Sequence, residues 1–92
     1  MDRGIRLSLS VFKKLYPGLS EEEYRVMDYF LTNLSVGEIL AVRELERVYG
    51  IKNPESVIEI LISKGLLERG TGCYNLSKTV REKLRSYKKQ LI

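Results

Sequence analysis

Residues 52–76, KNPESVIEILISKGLLERGTGCYNL, constrain the fold more than any other stretch of the chain. Asn53 and Pro54 stand where a helix prefers its N-cap and its first residue, and Glu55 follows in the first turn. Gly65 stops that helix just after Lys64. Residues 66–69 and 73–76 then flank Gly70-Thr71-Gly72, the pattern of two short strands on a tight turn. A capped helix feeding directly into a hairpin makes the chain α+β, and the remaining sequence makes it mostly helical.

Upstream, Ser20 and Glu23 form a reciprocal capping pair, with Leu19 and Tyr24 placed for a hydrophobic staple. The helix they open reaches about Asn33 and carries Tyr24, Met27, Phe30, Leu31 and Leu34 on one side, a core stripe. Residues 36–41, VGEILA, contain Gly37 and read as a short strand. Ser35 with Glu38 could instead cap a helix that starts earlier. A second helix is expected over 42–49, with Leu45, Val48 and Tyr49 inward and Gly50 as its stop. Residues 4–11 alternate apolar and polar, so an extended start is expected to run into a short helical turn that ends at Pro17-Gly18. Ser77 caps a last helix from 78 to about 90. With no repeats and no low-complexity linker, residues 1–92 read as one domain: an N-terminal extension (1–19), a core (20–76) and a basic amphipathic helix (77–92).

Several chemistries lack their residues. The chain has no histidine, no phosphate-binding glycine loop and one cysteine, Cys73. It is therefore expected to be no enzyme, to hold no cofactor or metal, and to form no internal disulfide. The acid cluster Glu21, Glu22 and Glu23 is accounted for by the helix N-terminus it occupies. No apolar run reaches the roughly 18 residues of a membrane span and no leader pattern is visible, so a cytoplasmic location away from membranes is expected. Abundant Lys, Arg and Glu without Trp or His suits a thermophile.

Charge is segregated along the chain. Residues 1–19 sum to +3, residues 20–64 to −4 and residues 65–92 to +5. Any polyanion should be drawn to the ends. On a wheel of about 100° per residue, the third helix gathers Pro54, Val57, Ile58, Leu61 and Ile62 on one arc, with Ile60 at its edge. Glu55, Ser56, Glu59 and Ser63 fill the opposite arc, which has no Arg, Lys, Asn or Gln to read base edges and no neighbouring cation. The last helix is the reverse. Val80, Leu84, Tyr87 and Leu91 share one side, to be buried against the domain or a second copy, and Lys78, Arg81, Arg85, Lys88 and Lys89 share another.

The order helix, short strand, helix, turn, helix, hairpin resembles a winged helix-turn-helix domain, of the small archaeal or thermophilic DNA-binding type. Val42-Arg43-Glu44-Leu45, Gly50-Ile51 and Leu61 followed by Lys64-Gly65-Leu66-Leu67-Glu68-Arg69 carry the likeness, which covers residues 24–76. It implies a three-helix core, a short wing at 69–73 and a recognition helix at 53–64, with the helix from 77 as an addition. Two departures stand out: the interval from Gly50 to Gly65 is shorter than is common in DNA-reading members, and the wing offers only Arg69 as a cation.

Two functions follow. The one the sequence favours is a small winged-helix DNA-binding protein, a transcriptional regulator or DNA-associated factor. It would hold double-stranded DNA largely by phosphate contacts from Lys78, Arg81, Arg85, Lys88 and Lys89, helped by Arg69, with little sequence readout beyond Lys52, Asn53 and Ser56 at the start of the third helix. The alternative is a winged-helix protein–protein module, an accessory subunit of a replication or transcription complex. There Glu55 and Glu59 would meet a protein partner, and Leu84, Tyr87 and Leu91 a partner or a second copy as a homodimer.

Overall fold

The computed structural model describes residues 8–90, with side chains described for residues 8–87. Its elements are α1 (Leu9–Leu15), α2 (Glu21–Thr32), β1 (Ser35–Gly37), α3 (Glu38–Arg47), α4 (Pro54–Ser63), β2 (Leu67–Arg69), β3 (Cys73–Leu76) and α5 (Lys78–Gln90). The three strands form one antiparallel sheet in the order β1-β3-β2, with Val36 opposite Tyr74 and Arg69 also opposite Tyr74. This is a winged-helix-like α+β fold. α2, α3 and α4 form the helical core, the β2–β3 hairpin is the wing, and α1 and α5 are additions at either end.

One apolar cluster holds these parts together. α2 supplies Val26, Met27, Phe30 and Leu31, α3 supplies Ala41 and Leu45, and α4 supplies Val57, Ile58 and Leu61. Leu67, Tyr74 and Leu76 close it from the sheet, Phe12 from α1, and Val80 and Leu84 from α5. Phe30 lies edge-on to both Tyr29 (5.1 Å between centroids) and Tyr74 (6.3 Å), so α2 meets the wing through aromatic contact.

The expected start of α2 is present in full. The Glu23 amide donates to Ser20 Oγ at 3.1 Å, and the Ser20 amide donates to Glu23 Oε1 at 2.9 Å. That backbone donor, with Lys64 at 3.2 Å, holds the Glu23 carboxyl below the usual carboxylate range. A group whose folded pKa is depressed stabilises above its unfolded pKa, and its contribution is lost as pH falls through the folded value. Ser20→Ala should cost about 1 kcal/mol of stability by urea denaturation at neutral pH. A change below a few tenths would mean that the cap adds nothing to what the core already fixes.

Two expectations need correction. The residues read as a strand over 36–41 are strand only to Gly37. α3 begins at Glu38, four residues before the expected start. Gly37 serves as its N-cap with extended backbone, Glu38 sits favourably in the first turn, and its amide donates to the Gly72 carbonyl at 3.0 Å. Val48, expected inward, is 75% exposed as the C-cap of α3, because the part of the helix buried in the core ends at Leu45. Of the alternating segment at 4–11, residues 9–11 are helical, with Ser8 Oγ accepting from the Val11 amide; residues 4–7 lie outside the described residues. Gly50 and Gly65 take positive φ of 66° and 76°, as expected of the residues that end α3 and α4.

Candidate functional site

The surface built by α3 and the start of α4 is where a winged helix would present cations to a duplex. Here its chemistry is different. An open cleft of about 300 Å³ is lined by Glu38, Ile39, Val42, Arg43, Glu46, Arg47 and Glu55. Ile39 is 75% exposed and Leu40 beside it 49%. Since α3 buries Ala41 and Leu45, four apart, a step of 100° per residue puts Ile39 and Leu40 on its open side. Arg43 and Arg47 lie one turn and two turns further along that side. Two large apolar side chains flanked by arginines have the composition of a protein-binding surface, where buried apolar anchors and Arg carry most of the energy.

The apolar arc expected on α4 is Pro54, Val57, Ile58, Leu61 and Ile62. Four of these are buried and Ile62 is partly so, with Ile60 45% exposed at the edge of the arc. Glu55, Ser56 and Glu59 are exposed on the opposite arc, and Lys52 and Asn53 are exposed just before the helix. Asn53 occupies the N-cap position, and its side chain makes no capping bond.

The sequence left Glu59 without a neighbouring cation, and the structure gives it one. Arg69 on β2 forms an ion pair with Glu59 through Nη2, lies 3.4 Å from Glu38 through Nη1, and sits over the Tyr74 ring at 5.4 Å. The wing cation expected to reach phosphate is therefore engaged by two glutamates, tying β2 to α3 and α4. The wing itself is tight, with the Gly70 amide donating to the Cys73 carbonyl at 2.8 Å.

α5 decides between the two expectations for its apolar side. Leu84 is 3% exposed and packs in the domain's own core with Val80, so it has no surface to offer a partner or a second copy. Tyr87 is partly buried, lining a cleft of about 400 Å³ between α5 and α1 with Leu15, Thr79, Glu82, Lys83 and Ser86. Lys78 and Arg85 are exposed and Arg81 partly so. Lys88 and Lys89 lie in the helix beyond the described side chains, and Leu91 lies outside the described residues.

The sequence reading missed Ile39, Leu40 and Lys83. The first two were hidden because they fell inside a presumed strand. The signal that could have exposed them was the Ser35–Glu38 alternative, whose earlier helix start puts Ala41 and Leu45 inward and leaves both outside. A further polar pair lies behind α3: the Tyr29 hydroxyl donates to Glu44 Oε1 at 2.5 Å, and burial together with that carboxylate pushes the phenol pKa upward. Among the described residues, no group of three or more potential ligands could hold a metal ion, and no helix is long and apolar enough to cross a membrane.

Fold and surface together define a winged-helix-like domain whose α3–α4 face mixes exposed apolar side chains with glutamates and arginines. The family model described as PolB1 Binding Protein 2 matches residues 20–82, about two thirds of the chain. The chain belongs to that family. Comparison with curated proteins found no match.

Proposed function

We propose that this protein is a non-catalytic interaction module that binds the DNA polymerase PolB1, and that the α3–α4 face is where it does so. Membership of a family described by its binding to PolB1 supports the partner. The observation that supports the face is the pair Ile39 and Leu40, apolar side chains held largely in water on α3. Exposing them has a cost that docking onto a partner would recover, at about 25 cal/mol per Å² of apolar area covered. Glu55, on the rim of the same cleft, sets an acid where a winged helix ordinarily meets a duplex, and Glu59 beyond it is already paired with Arg69. A polymerase surface carrying basic and apolar residues suits them better. Direct base reading by Lys52, Asn53 and Ser56 would have to work beside these acids and without Arg69.

Titration calorimetry of the full chain against PolB1 tests this reading. A saturable complex with a negative heat-capacity change is expected, because apolar surface is covered on association. Absence of heat and of co-elution at tens of micromolar would sink it.

A further inference from the structure

We propose that α1 and α5 together form a second, basic surface that holds the phosphate backbone of duplex DNA while the α3–α4 face holds its protein partner. The sequence placed positive charge at both ends of the chain without relating the two ends in space. The fold brings α1 and α5, which carry part of that charge, together. Lys83 of α5 extends its Nζ over the ring of Tyr16, the C-cap residue of α1, at 5.5 Å. Leu15 of α1 lines one cleft with Lys83 and Tyr87 of α5.

Lys13 of α1 and Lys83 of α5 rest on one aromatic base. Tyr16 stacks on Phe12 with ring centroids 4.9 Å apart, and Tyr24 meets Phe12 edge-on. The Tyr24 hydroxyl donates to the Tyr16 carbonyl at 2.7 Å, and Lys13 places its Nζ 5.1 Å from the Tyr24 ring. Phe12 is fully buried, so this base is anchored in the core. Lysines laid on rings keep their stems ordered and lose less freedom on meeting a phosphate than lysines that wave in water.

The cations that flank this base are Lys13 and Lys14 of α1 and Lys83 of α5, with Glu82 in the adjoining cleft; Lys78, Arg81 and Arg85 lie roughly 140–160° around α5 from Lys83 and extend the positive charge of that helix on its other side. Residues 20–64, which build α2, α3 and α4, sum to −4, so the net positive charge of the chain resides in the segments that include α1 and α5, with Glu21, Glu22 and Glu23 of α2 the acids nearest Tyr24 in the chain. This surface shares no lining residue with the α3–α4 cleft. The choice of duplex DNA over other polyanions rests on the polymerase reading above. The cation surface itself does not.

Fluorescence anisotropy of a labelled 20-base-pair duplex against the full chain, from 50 to 200 mM salt, is the test. Binding that weakens steeply with salt is expected. Lys13→Glu, Lys14→Glu and Lys83→Glu combined should lower affinity at least about tenfold and reduce the salt slope by about three units, roughly one per lost phosphate contact. The triple Lys→Arg variant keeps the charge and should bind as the parent does, which separates a charge effect from misfolding. PolB1 binding by the Glu variant should be unchanged, so failure here and failure of the polymerase reading are distinguishable. No duplex binding at 50 mM salt, binding confined to single strands, or an unchanged affinity in a folded Glu variant would each overturn the proposal.

Discussion

Phe30→Ala is expected to destabilise the protein by about 3–5 kcal/mol, the largest loss any single side chain here should produce. Phe30 has no exposed surface and stands where three parts of the molecule meet. It belongs to α2, contacts Tyr29 on its own helix, and faces Tyr74 of β3, the central strand of the sheet. Truncating it removes the ring's transfer energy, leaves a cavity that the helix and the sheet cannot both collapse into, and deletes two edge-to-face contacts. A domain of this size has a total stability of about 5–14 kcal/mol, so the variant should be marginal. Its thermal midpoint should fall by tens of degrees, at about 4–8 °C per kcal/mol. Calorimetric melting checks it. A fall of only a few degrees would mean that α2 and the wing stabilise themselves independently and that the core is less continuous than the cluster implies.

Local chemistry explains why so much of the framework could be read directly. The Ser20–Glu23 box, Pro54 after Asn53, and the positive-φ Gly50 and Gly65 each act within a few residues of chain, so their consequences need no tertiary knowledge. Residues 36–41 failed for the opposite reason. Gly37 is compatible with a strand end and with a helix N-cap, and it serves as both. What separates the two over the next four residues is the pairing of Ser35, Val36 and Gly37 with β3, forty positions away. That error hid Ile39 and Leu40, the residues on which the proposed interface depends. The role of Arg69 was equally illegible. Its three partners, Glu38, Glu59 and Tyr74, come from three different elements, and only the fold gathers them. Periodicity gave the burial of Val80 and Leu84. Whether their partner was this domain or another copy depended on Phe12 and the rest of the shared core.

The second large effect is expected at the interface. Ile39→Asp with Leu40→Asp should weaken binding to PolB1 by about a hundredfold or more, since losing two apolar anchors from a desolvated contact commonly costs 1–3 kcal/mol each. The fold should tolerate both changes. Neither side chain belongs to the buried cluster, and both positions lie in the first turn of α3, where a negative charge is favourable beside the helix N-terminus. The thermal midpoint should therefore stay within a few degrees of the parent, which makes a lost complex interpretable as a lost contact. Glu55→Lys on the same cleft supplies the electrostatic half of the argument. If the polymerase presents basic groups there, that substitution should slow association and make it less sensitive to salt. If the double Asp variant is folded and binds PolB1 like the parent, the exposed apolar pair is not the docking surface. The polymerase contact would then have to lie elsewhere, with the cleft between α1 and α5 the next surface to test, and the basic track would have to share its helices with a protein partner.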